Sequence, residues 1–228
     1  MSYYIGLSIL STDTAKNQKK RLSTEARRVL TLLNGSPVEE ADIATETGGR
    51  PFFIKKEADF NITHCVDITA VSYVKGKNLR TGCDIERIRP RKGAEQIAEE
   101  FFSPYEKKYL YSSGEFDKIK FFEIWTLKEC FIKLKGLSVF DMNTVPSFIS
   151  QSLEFCFTAP PPLVFRLYEL TDNSNPDNIK EHYMLAAAVE GSRQSLEILW
   201  FSQTSLDCKI KAEIKAAPSP AQTVSPKM

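Results

Sequence analysis

Histidine is scarce in this chain: its 228 residues include two, His64 and His182. That leaves no multi-histidine zinc or iron centre. With no G-x-S-x-G elbow either, a serine hydrolase has no footing. The five cysteines, Cys65, Cys83, Cys130, Cys156 and Cys208, are odd in number and form no C-x-x-C pair. Neither a disulfide framework nor a structural zinc site is indicated, and reduced thiols in a cytoplasm are the simplest reading. No apolar run approaches the roughly 20 residues of a membrane span. The start, Met1-Ser2-Tyr3-Tyr4-Ile5-Gly6, lacks a basic stretch followed by a long apolar one, so a soluble, cytoplasmic protein is expected. Excess charge of either sign is missing as well: 30 Lys and Arg against 29 Asp and Glu give +1. Proteins that coat nucleic acid carry a global basic excess, so no nucleic-acid partner is expected and any anion site is local. Walker and G-x-G-x-x-G patterns are absent, which removes support for a P-loop hydrolase or a Rossmann dehydrogenase.

What is present is enough apolar sequence, 42% of the chain, to bury one compact core or two small intimate halves. Period-two and β-branched runs predict strands over residues 3–10, 60–66, 69–74, 81–88, 152–157, 163–170, 182–189 and 196–200. Helical spacing predicts helices over 23–33, 94–102, 104–112 and 117–135, the last stopped by Gly136. Gly48-Gly49-Arg50-Pro51 reads as a loop, Pro160-Pro161-Pro162 as an interruption and 172–178 as a loop. Beyond Ala212 the Ala, Pro, Ser and Lys composition offers little to bury, so 212–228 is expected to be a disordered tail. Ile5-Gly6-Leu7-Ser8-Ile9 resembles Thr81-Gly82-Cys83-Asp84-Ile85, each leading into a polar linker and helices. If this is a duplication, the fold is an α+β one of pseudo-twofold halves, 1–78 and 79–211. Ser8 stands where the second copy has Asp84, so only the second half could hold a metal.

Four local patterns bear on chemistry. Asp84-Ile85-Glu86 lies in a predicted strand, so both carboxylates project to one face. Hard cations such as Mg²⁺ favour one or two such carboxylates together with substrate phosphates; a solvated strand face is the plain alternative. Trp125, Glu129 and Lys133 stand at i, i+4 and i+8 on the long helix and share a face. They read either as an ordinary core indole with a helix ion pair, or as a metal ligand or general base beside a phosphate contact. In Phe60-Asn61-Ile62-Thr63-His64-Cys65, alternation separates Asn61 and Thr63 from His64, which is either structural or a donor to phosphate. The Gly48 to Pro51 loop combines close backbone approach with the forked donors of Arg50.

Taken in order, G-R-P at Gly49 to Pro51, F-N-I-T-H-C at Phe60 to Cys65, G-C-D-I-E at Gly82 to Glu86 and W-T-L-K-E-C-F-I-K-L-K-G at Trp125 to Gly136 resemble the successive motifs of the Sfp-type phosphopantetheinyl transferases. The resemblance implies two α+β halves with coenzyme A in the cleft between them. It implies Mg²⁺ held by Asp84, Glu86 and Glu129, with Glu129 also assigned as the base for a carrier serine. Lys133 and His64 would contact phosphate, and Arg50, Pro51 and Thr63 would complete the coenzyme A site. Arg50 replaces the family's frequent Lys, and Thr63 and Cys65 replace its serines. The implied activity is transfer of 4'-phosphopantetheine from coenzyme A to a serine of an apo acyl or peptidyl carrier protein, with release of 3',5'-ADP. A metal-dependent phosphodiesterase and a non-catalytic carrier-binding module are the competing readings. A fused pseudo-dimer makes a monomer the default.

Overall fold

The computed structural model describes residues 3–9, 18–66, 68–159, 162–172, 180–192, 197–201 and 206–217. Strand β1 (Tyr3–Ile9) is followed by helix α1 (Gln18–Asn34), which begins a turn earlier than its apolar stripe suggests. A small hairpin, β2 (Ile43–Thr45) and β3 (Pro51–Phe53), frames the Gly48 to Arg50 loop. Strands β4 (Ala58–Cys65), β5 (Ile68–Lys75) and β6 (Arg80–Arg87) come next, then helices α2 (Ala94–Phe101), α3 (Pro104–Leu110) and α4 (Lys118–Lys135). The chain closes with β7 (Leu163–Asp172), β8 (Glu181–Glu190), β9 (Glu197–Trp200) and β10 (Asp207–Lys215).

The strands form two four-stranded sheets, ordered β4-β5-β1-β9 and β10-β7-β8-β6, beside the β2-β3 hairpin. Period-two alternation sorts their faces into layers. Ile5 and Leu7 of β1, Cys83 and Ile85 of β6, and Leu185, Ala187 and Val189 of β8 fill the core between the sheets. Ala26, Val29 and Leu30 of α1 cover the outer face of the first sheet with Phe60, Val71 and Tyr73. Helix α4 covers the second sheet with Phe165, Leu167, Met184, Ala186 and Ala188. It is more than the one-sided helix the apolar spacing suggests, because almost every residue from Phe121 to Leu134 is buried. Asp117 caps its start through Ile119 N–H at 2.8 Å, and Gly136, at φ +69°, ends it.

The two sheets meet at the edges β4 and β6 without a backbone ladder. Side chains at every second position of β4 do the pairing instead. Asp59 Oδ2 accepts Thr81 N–H at 2.8 Å, Asn61 Oδ1 accepts Cys83 N–H at 3.2 Å, and Cys65 Sγ accepts Arg87 N–H at 3.2 Å. Each acceptor lies 22 residues before its donor, so the seam holds one register. Satisfying the edge N–H groups this way removes the penalty of burying them unpaired.

Two expectations are corrected. Residues 152–157 form no strand: Leu153 adopts φ +63° in a tight turn, and only the bridge between Ile149 and Phe155 remains. The chain past 212 is not all tail, since β10 runs to Lys215 and Ala217 N–H donates to Phe157 O at 3.1 Å. An edge strand needs burial on only one side, and Ile214, 3% exposed, supplies it. The expectations for Pro160, Pro161, 173–178 and 218–228 lie outside the described residues.

The seam has an energetic test. Arg50 is buried against Asp59, with Nη2 at 2.5 Å and Nη1 at 3.1 Å from its carboxylate oxygens. Asp59→Ala would leave that charge without its counter-ion and the Thr81 N–H without its acceptor, and breaking a buried pair costs about 3–5 kcal/mol. Urea unfolding should register a loss of that size; a loss below about 1 kcal/mol would mean the seam is not under tension from buried charge.

Candidate functional site

Helix α4 can approach β6 closely because residue 82 is glycine: a Cβ there would sit 2.7 Å from Cys130 O and 2.8 Å from Leu134 N. The next outward residues of the strand, Asp84 and Glu86, therefore face the helix. Lys133 Nζ reaches across to Asp84 Oδ1 at 2.5 Å and to Thr63 Oγ1 at 3.0 Å, while Thr63 donates to the same Asp84 oxygen at 3.1 Å. Trp125 Nε1–H donates to Glu86 Oε1 at 3.1 Å. The guanidinium of Arg91, in the segment joining β6 to α2, lies 4.8 Å from the Trp125 ring centre and 3.8 Å from Glu86 Oε1. Thus Thr63, Asp84 and Lys133 form one set of direct contacts and Glu86, Trp125 and Arg91 a second, on the same face of β6.

The electrostatics are those of crowded, partly dehydrated acids. Burial pushes the Glu129 carboxyl up to about 7; the Asp84 charge adds to this, Lys133 opposes it and Glu86 adds again. Burial and Asp84 also raise Glu86, against the Trp125 hydrogen bond and Arg91. For Lys133, burial acts to lower its value, but the Asp84 carboxylate prevails and holds the ammonium above its ordinary range. Among the described residues no three His, Cys, Asp or Glu side chains converge as a ready-made metal cage. The donor set nevertheless suits a hard cation. Asp84 Oδ2 is buried with no hydrogen-bond partner, and burial together with the Asp84 charge makes two neighbouring acids resist ionising. Asp84, Glu86 and Glu129 are the groups that could hold Mg²⁺.

Other expected site residues lie elsewhere. The forked donors of Arg50 are engaged inside the protein: besides Asp59, Nη2 donates to Thr81 O at 2.9 Å and Nε to Lys133 O at 3.0 Å. Its guanidinium thus ties the end of α4 to the seam, a departure from the expected phosphate fork. Gly48 permits this, since any Cβ there would collide with Gly136 O. Pro51 opens β3 opposite Thr45. His64 is exposed, on the face of β4 opposite Thr63.

Sequence reasoning missed Arg91 as a neighbour of the acids, and it missed the burial of Lys128. Lys128 Nζ pairs with Glu106 at 3.1 Å, with side chains 1% and 0% exposed, while Glu106 also accepts Ser103 N–H and Phe148 N–H. The alternation of polar Asp59, Asn61, Thr63 and Cys65 with apolar Phe60 and Ile62 was the available signal for the seam.

The sequence profile of the 4'-phosphopantetheinyl transferase superfamily matches residues 80–183, a span that includes Asp84, Glu86, Glu129 and Lys133. The chain is 30% identical over 152 residues to 4'-phosphopantetheinyl transferase psf-1 of Bacillus pumilus, covering 63% of this chain and 62% of that one. It is 34% identical over 98 residues to HetI of Nostoc sp., 40% of each chain. It is 32% identical over 135 residues to AcpT of Salmonella typhi, 59% of this chain and 69% of the other. The chain belongs to the 4'-phosphopantetheinyl transferase superfamily. The matches span less than two thirds of the first two relatives' lengths.

The raised Glu129 carboxyl predicts how stability depends on pH. The folded protein binds this proton more tightly than the unfolded chain, so stability falls as pH rises from 4.5 through about 7. Glu129→Gln, neutral throughout, should stabilise the metal-free protein at pH 8 by on the order of 2 kcal/mol, with the gain shrinking toward pH 4.5. Thermal melts at the two pH values check this. A variant equally stable or weaker at pH 8 would show that burial does not raise the Glu129 carboxyl.

Proposed function

We propose that this protein transfers 4'-phosphopantetheine from coenzyme A to a serine of an apo acyl or peptidyl carrier protein, releasing 3',5'-ADP. The observation that supports it most directly is the meeting of Lys133, Thr63 and a half-satisfied Asp84 beside Glu86 and Glu129, in a chain of the phosphopantetheinyl transferase superfamily. The relatives are named as 4'-phosphopantetheinyl transferases.

In this reading Asp84, Glu86 and Glu129 would hold Mg²⁺, which would supply neutralisation of the coenzyme A diphosphate. Lys133, seated between Asp84 and Thr63, gives the chain's own cation to a phosphate oxygen. Thr63 orients Asp84, and Trp125 orients Glu86. Glu129, beside them, is the acceptor for the proton of the carrier serine. The serine oxygen bonds to the β-phosphorus as the bond to the diphosphate bridging oxygen breaks, and 3',5'-ADP departs. Arg50 fixes the carboxyl end of α4, so that Lys133 meets β6 in register. His64, exposed across β4, contributes at most to the rim of the site.

The fold reading that goes with this is a duplication. Gly6 packs under Val29 and Leu33 of α1 much as Gly82 packs under Cys130 and Leu134 of α4. Halves near 1–78 and 79–211 follow, with the second lending β9 to pair with β1. A cytoplasmic monomer is the accompanying expectation; no helix among the described residues is long and apolar enough to cross a membrane.

The test mixes the protein with apo carrier, coenzyme A and Mg²⁺ and weighs the carrier. A gain of one phosphopantetheine is expected. No gain overturns the transferase, and release of free phosphopantetheine to water would make the protein a phosphodiesterase. Asp84→Ala should slow transfer by on the order of 10² to 10³, the usual effect of losing a charge-positioning group.

A further inference from the structure

Resting on the reading above, we propose that Arg91 is a positioning residue that keeps the acid cluster from taking a divalent cation until a diphosphate ligand is present. Two of the site's acids already hold cations from the chain. Lys133 lies 2.5 Å from Asp84, and Arg91 lies 3.8 Å from Glu86 while its guanidinium covers the Trp125 ring. Arg91 and Trp125 Nε1–H both address Glu86 Oε1. With three acids against two cations, no more than about one negative charge is left to attract a metal ion, weak competition for the ion's hydration shell. A bound diphosphate adds the missing negative charge and gives Lys133 a second partner, so metal and ligand fill the site together.

The placement of Arg91 suits this task better than that of Lys133. Lys133 projects from a helix buried on nearly every face, whereas Arg91 sits on the irregular stretch between β6 and α2. It stands at a groove of about 360 Å³, lined also by Arg89, Gln96, Phe116 and Phe121, that has room for the guanidinium to swing away from Glu86. The planar group can slide off the indole without disturbing the core, and its contacts are of the exposed, weakly held kind.

The experiment uses full-length protein with Trp200→Phe, which leaves Trp125 as the single indole. Mg²⁺ is titrated with and without coenzyme A, following Trp125 emission and melting temperature, for this protein and for its Arg91→Met and Arg91→Lys variants. Without coenzyme A, Arg91→Met should bind Mg²⁺ about tenfold more tightly, the scale expected for removing one nearby, partly solvated charge. Arg91→Lys should stay close to the parent. With coenzyme A present, the parent and Arg91→Met should agree within about threefold. Equal Mg²⁺ affinity of parent and Arg91→Met without coenzyme A overturns the proposal. If the carrier still gains mass in that case, Arg91 alone loses its role. If Mg²⁺ and coenzyme A leave every protein unchanged, the transferase reading falls with it.

Discussion

Buried edge N–H groups must find acceptors, and here the second sheet finds them on side chains of the first. Asp59, Asn61 and Cys65 accept from Thr81, Cys83 and Arg87 at a fixed spacing along β4 and β6. Because acceptors recur every two residues, slipping the strands by one would turn all of them away from β6 and leave its N–H groups unpaired. The intermediate position, Thr63, is the one that meets Asp84. The constraint that joins the sheets is thus also the one that places a hydroxyl on the central acid of the site.

Helix α4 depends on the same seam. Arg50, held by Asp59 and Thr81 O, donates to Lys133 O, so the seam extends to the turn of α4 that carries the site's lysine. Nearer mid-helix, the buried Lys128–Glu106 pair ties α4 to α3 and to the loop at Phe148. Buried pairs of this kind contribute little net stability over apolar packing, but they penalise any arrangement that breaks them. The helix is thus pinned at its carboxyl end and at mid-length, the stretch that carries Trp125 and Glu129. A rigid support of this sort lets three acids remain crowded in a partly dry setting, where burial and mutual repulsion hold Glu86 and Glu129 above their ordinary values.

Much of this was legible in the chain. The period-two placement of Asp84 and Glu86 put both on one face, and the i, i+4, i+8 spacing of Trp125, Glu129 and Lys133 put them on another. Gly82 and Gly136 marked the close approach and the end of α4. The order of the motifs indicated the family. Less legible was anything that depended on which edges meet. Arg50 in a glycine loop looks the same whether its donors face solvent or a buried carboxylate 9 residues on. The segment at Leu153 looked extended because its apolar residues alternate, and only the packed turn forced φ positive there. Strand β10 was overlooked because a single buried residue, Ile214, anchors its far end.

By itself the sequence determined local geometry: strands by alternation, helices by spacing, ends by glycine and capping residues, and the absence of any histidine-rich or disulfide-based chemistry. These follow from forces that act within a few residues. The tertiary structure decided the partners: Lys133 with Asp84 rather than Glu129, Trp125 with Glu86, Arg91 over Trp125, and Arg50 inward. Each of these joins residues from 9 to 83 positions apart, and such contacts are set by which edges and faces come together when the sheets close, a property no local pattern encodes.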